Sequence, residues 1–137
     1  MRSAAAGGQS DAGATNEAAF TSGIGSDASG NVYITGSYGY GSDISFDGNT
    51  LQSFGSYDMF LVKYDTNGNV QWARRMGGPE TDGIQAIHVD ANGNTYMTGW
   101  FINAADFGGT SLVSTNTAYQ EIFVAKYDSD GNSVWAN

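Results

Sequence analysis

A long internal repeat constrains this sequence more than any other feature. The segment 27–36 (DASGNVYITG) returns 63 positions later as 90–99 (DANGNTYMTG). The segment 60–73 (FLVKYDTNGNVQWA) returns at the same offset as 123–136 (FVAKYDSDGNSVWA). A chain that repeats itself at such a period folds as like units that bury their apolar surfaces against one another. The 137 residues therefore contain two such units.

The motif Asp-x-x-Gly-Asn occurs four times and marks the turns inside each unit. It starts at Asp27, Asp65, Asp90 and Asp128, each time between two β-prone runs. An Asp side chain accepts hydrogen bonds from the backbone two residues on, and Gly takes the positive φ that closes a hairpin. Two hairpins per unit predict four strands. In the first unit they lie near residue 24 and over 32–38, 59–64 and 70–74, and in the second over 85–89, 95–101, 122–127 and 133–136.

The third strand of the first unit indicates how the sheets are packed. Met59–Val62 is a continuous apolar run, which predicts a strand that is covered on both faces. Radially stacked four-stranded sheets provide such cover, as in a propeller. Between the second and third strands, 46–51 (FDGNTL) resembles 107–112 (FGGTSL) at an offset of 61, which predicts a long loop or an extra ribbon of variable length.

These motifs resemble the SBBP-type β-propeller repeat family. The resemblance rests on 87–99 (IHVDANGNTYMTG), on 121–136 (EIFVAKYDSDGNSVWA) and on Arg75-Met-Gly-Gly78, and it covers about residues 20–137. It implies all-β, propeller-like blades of four antiparallel strands, two per chain. It also implies an extracellular or bacterial cell-surface location and a non-enzymatic role.

Two blades do not close a ring, so we expect the remaining apolar faces to be covered by other copies. The predicted organisation is an N-terminal arm over 1–19, flexible or strand-donating, then one blade over 20–78 and another over 79–137. The predicted partner is a second copy, bound through the blade faces or the arm, in a ring or a filament. The alternatives are a fragment of a longer propeller and a propeller module that binds glycans or proteins.

Composition excludes several other classes of function. The net charge is −9, which disfavours binding to nucleic acid or to an anionic membrane. The sequence has no Cys, which excludes disulfides and thiolate chemistry. No apolar run is long enough to predict a membrane span.

The acidic turns are candidate calcium ligands. Asp65 and Asn67 in one turn, and Asp128 and Asp130 in another, place oxygen side chains at alternate positions, as calcium loops do. The full twelve-residue loop is missing, and turn chemistry alone accounts for these residues. Calcium is thus a possible cofactor, and no other cofactor is predicted.

No catalytic site is predicted. His88 is the only His, and no partnered nucleophile is recognisable. Glu80 and Asp82 are expected to be solvated. Trp100 and Phe101 are candidates for an exposed aromatic platform that would stack on a sugar, but burial in the core is the favoured interpretation of both. Trp72 and Trp135 occupy equivalent positions and are expected to pack between blades.

Overall fold

The computed structural model describes residues 7–8, 18–39 and 41–137, and every regular element among them is a β-strand. The prediction of an all-β fold is therefore confirmed. The strands are, in chain order, β1 (Gly7–Gly8), β2 (Ala18–Ser26), β3 (Val32–Gly39), β4 (Ile44–Phe46), β5 (Asn49–Leu51), β6 (Tyr57–Tyr64), β7 (Val70–Met76), β8 (Gly83–Val89), β9 (Thr95–Ile102), β10 (Ala104–Asp106), β11 (Ser111–Val113), β12 (Gln120–Tyr127) and β13 (Ser133–Ala136).

Two antiparallel four-stranded sheets form the two blades. The first blade has the strand order β2-β3-β6-β7 and the second has the order β8-β9-β12-β13. The predicted strand pattern is confirmed in both. The first strand of the first blade is longer than its weakly apolar sequence indicates, since Ala18 already pairs with Gly39.

Each Asp-x-x-Gly-Asn motif closes a hairpin in the predicted way. In the turn at Asp90, Oδ1 accepts hydrogen bonds from the backbone N–H groups of Asn92 and Asn94, at 3.0 and 2.9 Å. Gly93 has a φ of +83° and donates to the carbonyl of Asp90. The other three turns repeat this geometry, so the motif alone fixes where each sheet reverses.

The segment between the second and third strands of each blade is a two-stranded ribbon. The ribbon β4–β5 packs on the first blade, where Phe46 contacts Phe60 at a centroid distance of 5.0 Å. The ribbon β10–β11 packs on the second, where Phe107 contacts Phe123 at 4.8 Å. The Phe residues at offset 61 are therefore core anchors that hold each ribbon on its sheet.

A Gly-Gly dipeptide runs beside each ribbon. Gly7 pairs with Ser45 in β4, and Gly77 pairs with Asp106 in β10. Part of the predicted arm thus donates a short strand within its own chain. The rest of that prediction, over 1–6 and 9–17, lies outside the described residues.

The two blades stack face to face. Strand β2 lies against β8, and the Thr35 hydroxyl contacts the Met97 sulfur across the junction at 3.9 Å. A single buried cluster fills the space between the sheets. Its members come from both blades: Tyr33, Met59, Leu61, Trp72, Met76, Ile84, Met97, Phe101, Ala105, Phe107, Phe123, Ala125 and Tyr127.

Candidate interaction surface on the second blade

Each blade has two faces, because side chains alternate along a strand. We call the face that carries the ribbon the A face and the opposite one the B face. In the first blade, Phe60 lies on the A face and Leu61 on the B face. The B face of the first blade packs against the A face of the second, where Phe123 and Tyr127 lie. The two blades are therefore stacked in one direction, B face on A face.

The outer part of this junction is fixed by backbone carbonyl groups of the turn at Asp128. Both the Trp72 indole N–H and the Lys63 ammonium donate to the carbonyl of Ser129, at 3.1 and 3.0 Å. The Trp72 ring covers Gly131, where an added Cβ would lie only 2.8 Å from the ring. Arg74 stacks on the Trp72 ring at 5.2 Å and donates to the Gly131 carbonyl at 2.9 Å. The turn at Asp128 therefore serves as the seat for the B face of the first blade.

The inner part of the junction uses the other turn of the second blade. Tyr33 donates to Asp27 Oδ2 at 3.0 Å, and its hydroxyl lies over Gly93, where an added Cβ would meet it at 2.5 Å. The Ala28 N–H donates to the Ala91 carbonyl at 3.2 Å, which links the turns of the two blades directly. Both halves of the junction thus depend on a Gly that leaves room for an aromatic side chain.

The same face of the second blade is uncovered. Its residues are the repeat counterparts of the buried ones, yet their exposures differ sharply. Met59 is 0% exposed, whereas its counterpart Ile122 is 84% exposed. Trp72 is 8% exposed, whereas Trp135 is 40% exposed. We call this surface the open B face and define it by Tyr96, Thr98, Ile122, Val124, Lys126 and Trp135.

The open B face carries the chemistry of a protein-binding surface. The Lys126 ammonium lies 5.3 Å from the centre of the Tyr96 ring, as Lys63 lies 5.5 Å from the Tyr33 ring. His88 is exposed beside Tyr96, with ring centres 6.4 Å apart. A shallow, almost wholly apolar depression of about 250 Å³ lies at its inner edge, lined by Ala86, Ile87, His88, Tyr96, Met97, Thr98 and Val124.

The candidate calcium ligands are engaged in turn hydrogen bonds. Asp65 Oδ1 accepts from two backbone N–H groups, and Oδ2 accepts from Asn69 and Gln71 side chains. The hydrogen bond from the Asn69 backbone lowers the pKa of Asp65 most. Burial raises the pKa of Asp128, but the hydrogen bonds from Asn132 and Asp130, together with the charge of Arg74, lower the pKa below its usual value. Within the described ranges, no three His, Cys, Asp or Glu side chains cluster as a metal site would require.

The two candidate platform residues lie in different environments. Phe101 is 3% exposed and belongs to the core between the blades, as the favoured interpretation of the sequence predicted, so it is not available as a platform. Trp100 is half-buried and lies over Gly83, where an added Cβ would be 2.9 Å from the indole. Adjacent residues of a strand point to opposite faces, so one of this pair had to be buried. Glycan stacking on Trp100 alone stays a prediction.

A buried acidic pair that the sequence reasoning missed lies where the blades are connected. Asp82, expected to be solvated, is 1% exposed, and Asp58 is 0% exposed. Asp82 accepts from the Gly78 N–H at 2.7 Å, and Asp58 accepts from the Phe54 N–H at 2.6 Å. Burial raises the pKa of Asp82 to about 6. Both carboxylates hold loop backbone in place, which gives them a structural role.

Among the described residues, Arg75 is the cationic partner of the Asp58 carboxylate. The Arg75 guanidinium lies 3.4 Å from Asp58 Oδ1 and 3.8 Å from the centre of the Phe54 ring. This arrangement closes the base of the loop before β6. A Gly at position 77 is required there, because an added Cβ would lie 2.7 Å from Asp58 Oδ1.

Comparisons with known proteins agree with this architecture. No family model matches the chain. The chain is similar to an uncharacterized WD repeat-containing protein, L264, from Acanthamoeba polyphaga mimivirus, with 28% identity over 123 residues. The match covers 80% of this chain and 9% of L264, so the chain spans less than a tenth of that protein. The described part of the chain contains no helix able to cross a membrane. Together, the similarity and the two stacked sheets show a propeller-like fold with a β-propeller type of repeat.

Proposed function

We propose that the chain is a non-enzymatic propeller module that binds a protein partner through the open B face of its second blade. The observation that carries the proposal is the contrast between repeat counterparts. Met59 and Leu61 are fully buried by a neighbouring blade, whereas Ile122 and Val124 face solvent. Large exposed apolar patches on a soluble domain mark interaction sites.

The composition of the surface favours a protein over other partners. Two aromatic and two aliphatic side chains make up most of this surface, and Tyr and Trp are enriched in protein interfaces. The net charge of −9 disfavours nucleic acid. Proteins with WD repeat propellers commonly mediate protein interactions, which supports the same class of function.

More specific readings of the sequence remain proposals. Membership of the SBBP-type repeat family would give an extracellular or bacterial cell-surface location. A structural role in a ring or filament would follow if copies of this chain cover one another's open faces. The alternative is that further blades of one long chain supply the cover, since the match spans only 9% of L264.

Site-specific photocrosslinking tests the proposed function. We would place benzoylphenylalanine at Ile122, which is 84% exposed, and at Val113 as a control, which is 73% exposed on ribbon strand β11. Irradiation in an extract of cells that make the natural protein should give discrete protein adducts at position 122. Equal adducts at both positions, or none at 122, would contradict the proposal.

A further inference from the structure

We infer that the open B face is filled by the A face of the first blade in a second copy, in the register that the two blades of one chain already use. This inference rests on the proposed function and names its partner. The existing junction supplies the template, because five of the six residues that define the open B face have a buried counterpart at the repeat offset, and the sixth, Lys126, has the half-buried Lys63. The docking site for that partner must then be found on the first blade.

The first blade carries this docking site, which is open along strand β2, whereas Phe60 and Val62 on the same face are already buried against the ribbon. Ile24, the counterpart of Ile87, is 71% exposed, whereas Ile87 packs against the core. Gly30 is exposed, whereas its counterpart Gly93 is buried beneath Tyr33. The open B face and the β2 edge of the A face of the first blade, which match the two sides of the existing junction, are therefore both exposed in a single copy.

The polar contacts of the junction can be repeated between copies. The counterpart of Ser129, whose carbonyl accepts from Trp72 and Lys63, is Thr66. In the second junction, Trp135 and Lys126 of one copy donate to the Thr66 carbonyl of the next. The Trp135 ring then covers Gly68 of that copy, which has a φ of +80° like Gly131.

One exchange of side-chain size also fits this register. In the existing junction Gly25 lies opposite Val89, because an added Cβ at Gly25 would be 2.6 Å from Val89 Cγ2. In the second junction the two counterparts are His88 and Ser26. The larger side chain on one side is thus met by a smaller one on the other.

Two differences make the second junction weaker than the first. Asn137 stands in place of Arg74, so the bonds from Arg74 to the Gly131 and Asp130 carbonyls have no equivalent. Ala86 stands in place of Gly23, where an added Cβ would be 2.5 Å from Ile87, so the facing Ile24 must shift. We therefore expect reversible, head-to-tail association that closes into a ring or extends as a filament.

Sedimentation velocity tests the association. The 137-residue chain should sediment as a monomer when dilute and as larger species towards about 1 mM, the range of weak complexes. Ile122→Glu and Ile24→Glu each place a charge on one of the two open surfaces and should each give a monomer throughout. Val113→Glu, on an exposed aliphatic residue outside both surfaces, should behave like the unsubstituted chain. If the unsubstituted chain stays monomeric at the highest concentration, the inference is overturned.

Mixing the two surface variants tests the direction of docking. Ile24→Glu keeps its open B face, and Ile122→Glu keeps its docking site, so an equimolar mixture should form a 1:1 dimer and nothing larger. If Ile24→Glu alone still dimerises, the B faces meet each other. That result would overturn the head-to-tail register and leave the proposed function standing.

Disulfide formation tests the register itself, since the chain has no Cys of its own. We would add His88→Cys to the Ile24→Glu chain and Ser26→Cys to the Ile122→Glu chain. Oxidation of the mixture should link the two chains through a disulfide. In the control, Thr117→Cys, in an exposed loop, stands in place of His88→Cys and should give no link. A 1:1 dimer that does not form the 88–26 link would overturn the register.

Discussion

Truncation of two equivalent residues gives the sharpest stability test of the stacked-blade arrangement. Met59 and Ile122 are repeat counterparts, and both are replaced by Ala. Met59 is 0% exposed, so Met59→Ala removes its full apolar contact and leaves a cavity, which costs about 2–5 kcal/mol. Ile122 is 84% exposed, so only about a sixth of its side-chain surface is buried. Ile122→Ala should therefore lower the free energy of unfolding by less than about 1 kcal/mol, mostly because Ala has a lower strand propensity.

Urea denaturation followed by circular dichroism measures both values. With a slope of about 2 kcal/mol per molar urea, a difference of at least about 1 kcal/mol separates the two midpoints by at least about 0.5 M. The samples must be dilute, because association would stabilise the unsubstituted chain through Ile122. Equal losses of stability for the two substitutions, whether both large or both small, would refute the assignment of one face as buried and the other as open.

Three further results are expected. The unfolded state releases the Asp82 proton near pH 3.8 and the folded state near pH 6. The free energy of unfolding should therefore fall as pH rises through this window. The thermal midpoint measured against pH should show this fall, and Asp82→Asn should make it smaller. Gly131→Ala places a Cβ at a position of positive φ and against the Trp72 ring, so it should lower the free energy of unfolding by about 2–3 kcal/mol. Gly48→Ala has a similar φ but lies in open space, so it should cost about 1 kcal/mol, and denaturant titrations measure both values. Calorimetry should give one thermal midpoint with calcium or with a chelator, because the carboxylate of Asp128 already accepts three hydrogen bonds, and a rise with calcium would favour a metal site.

The repeat predicted most of the architecture. The turn motif at Asp27 and its three counterparts carries its own hydrogen-bonding pattern, so the hairpins follow from local chemistry. The apolar run Met59–Val62 predicted a strand covered on both faces, and in the first blade this is confirmed. In the second blade, the exposed Ile122 and Val124 show that the same pattern does not guarantee the same burial.

Which faces remain open could not be read from the residues. Trp72 and Trp135 are the same residue type at the same repeat position, so periodicity assigns them the same environment. Their difference arises from the direction of stacking, in which the first blade supplies its B face and the second its A face. Phe101, by contrast, was within reach, because strand alternation beside Trp100 predicts that one of the two is buried.

The buried acids were missed for a different reason. Asp58 and Asp82 are separated by 24 positions, and both are buried by the connection between the blades rather than by a strand pattern. The sequence predicts a loop at Asp82, and side chains in loops are usually solvated. A loop that runs between two packed sheets needs its backbone N–H groups satisfied, and these carboxylates do so.

Hydroxyl-radical footprinting at two protein concentrations tests the central claim most directly. In dilute solution we expect Trp135 to be oxidised more than Trp72. We also expect Ile122 to be labelled more than Met59, once both values are corrected for the intrinsic reactivity of the side chain. At high concentration Trp135, Ile122 and Ile24 should become protected together, while Trp72 stays unchanged. Equal labelling of Trp72 and Trp135 in dilute solution would contradict the stacked blades. No protection at high protein concentration would contradict their completion by a second copy.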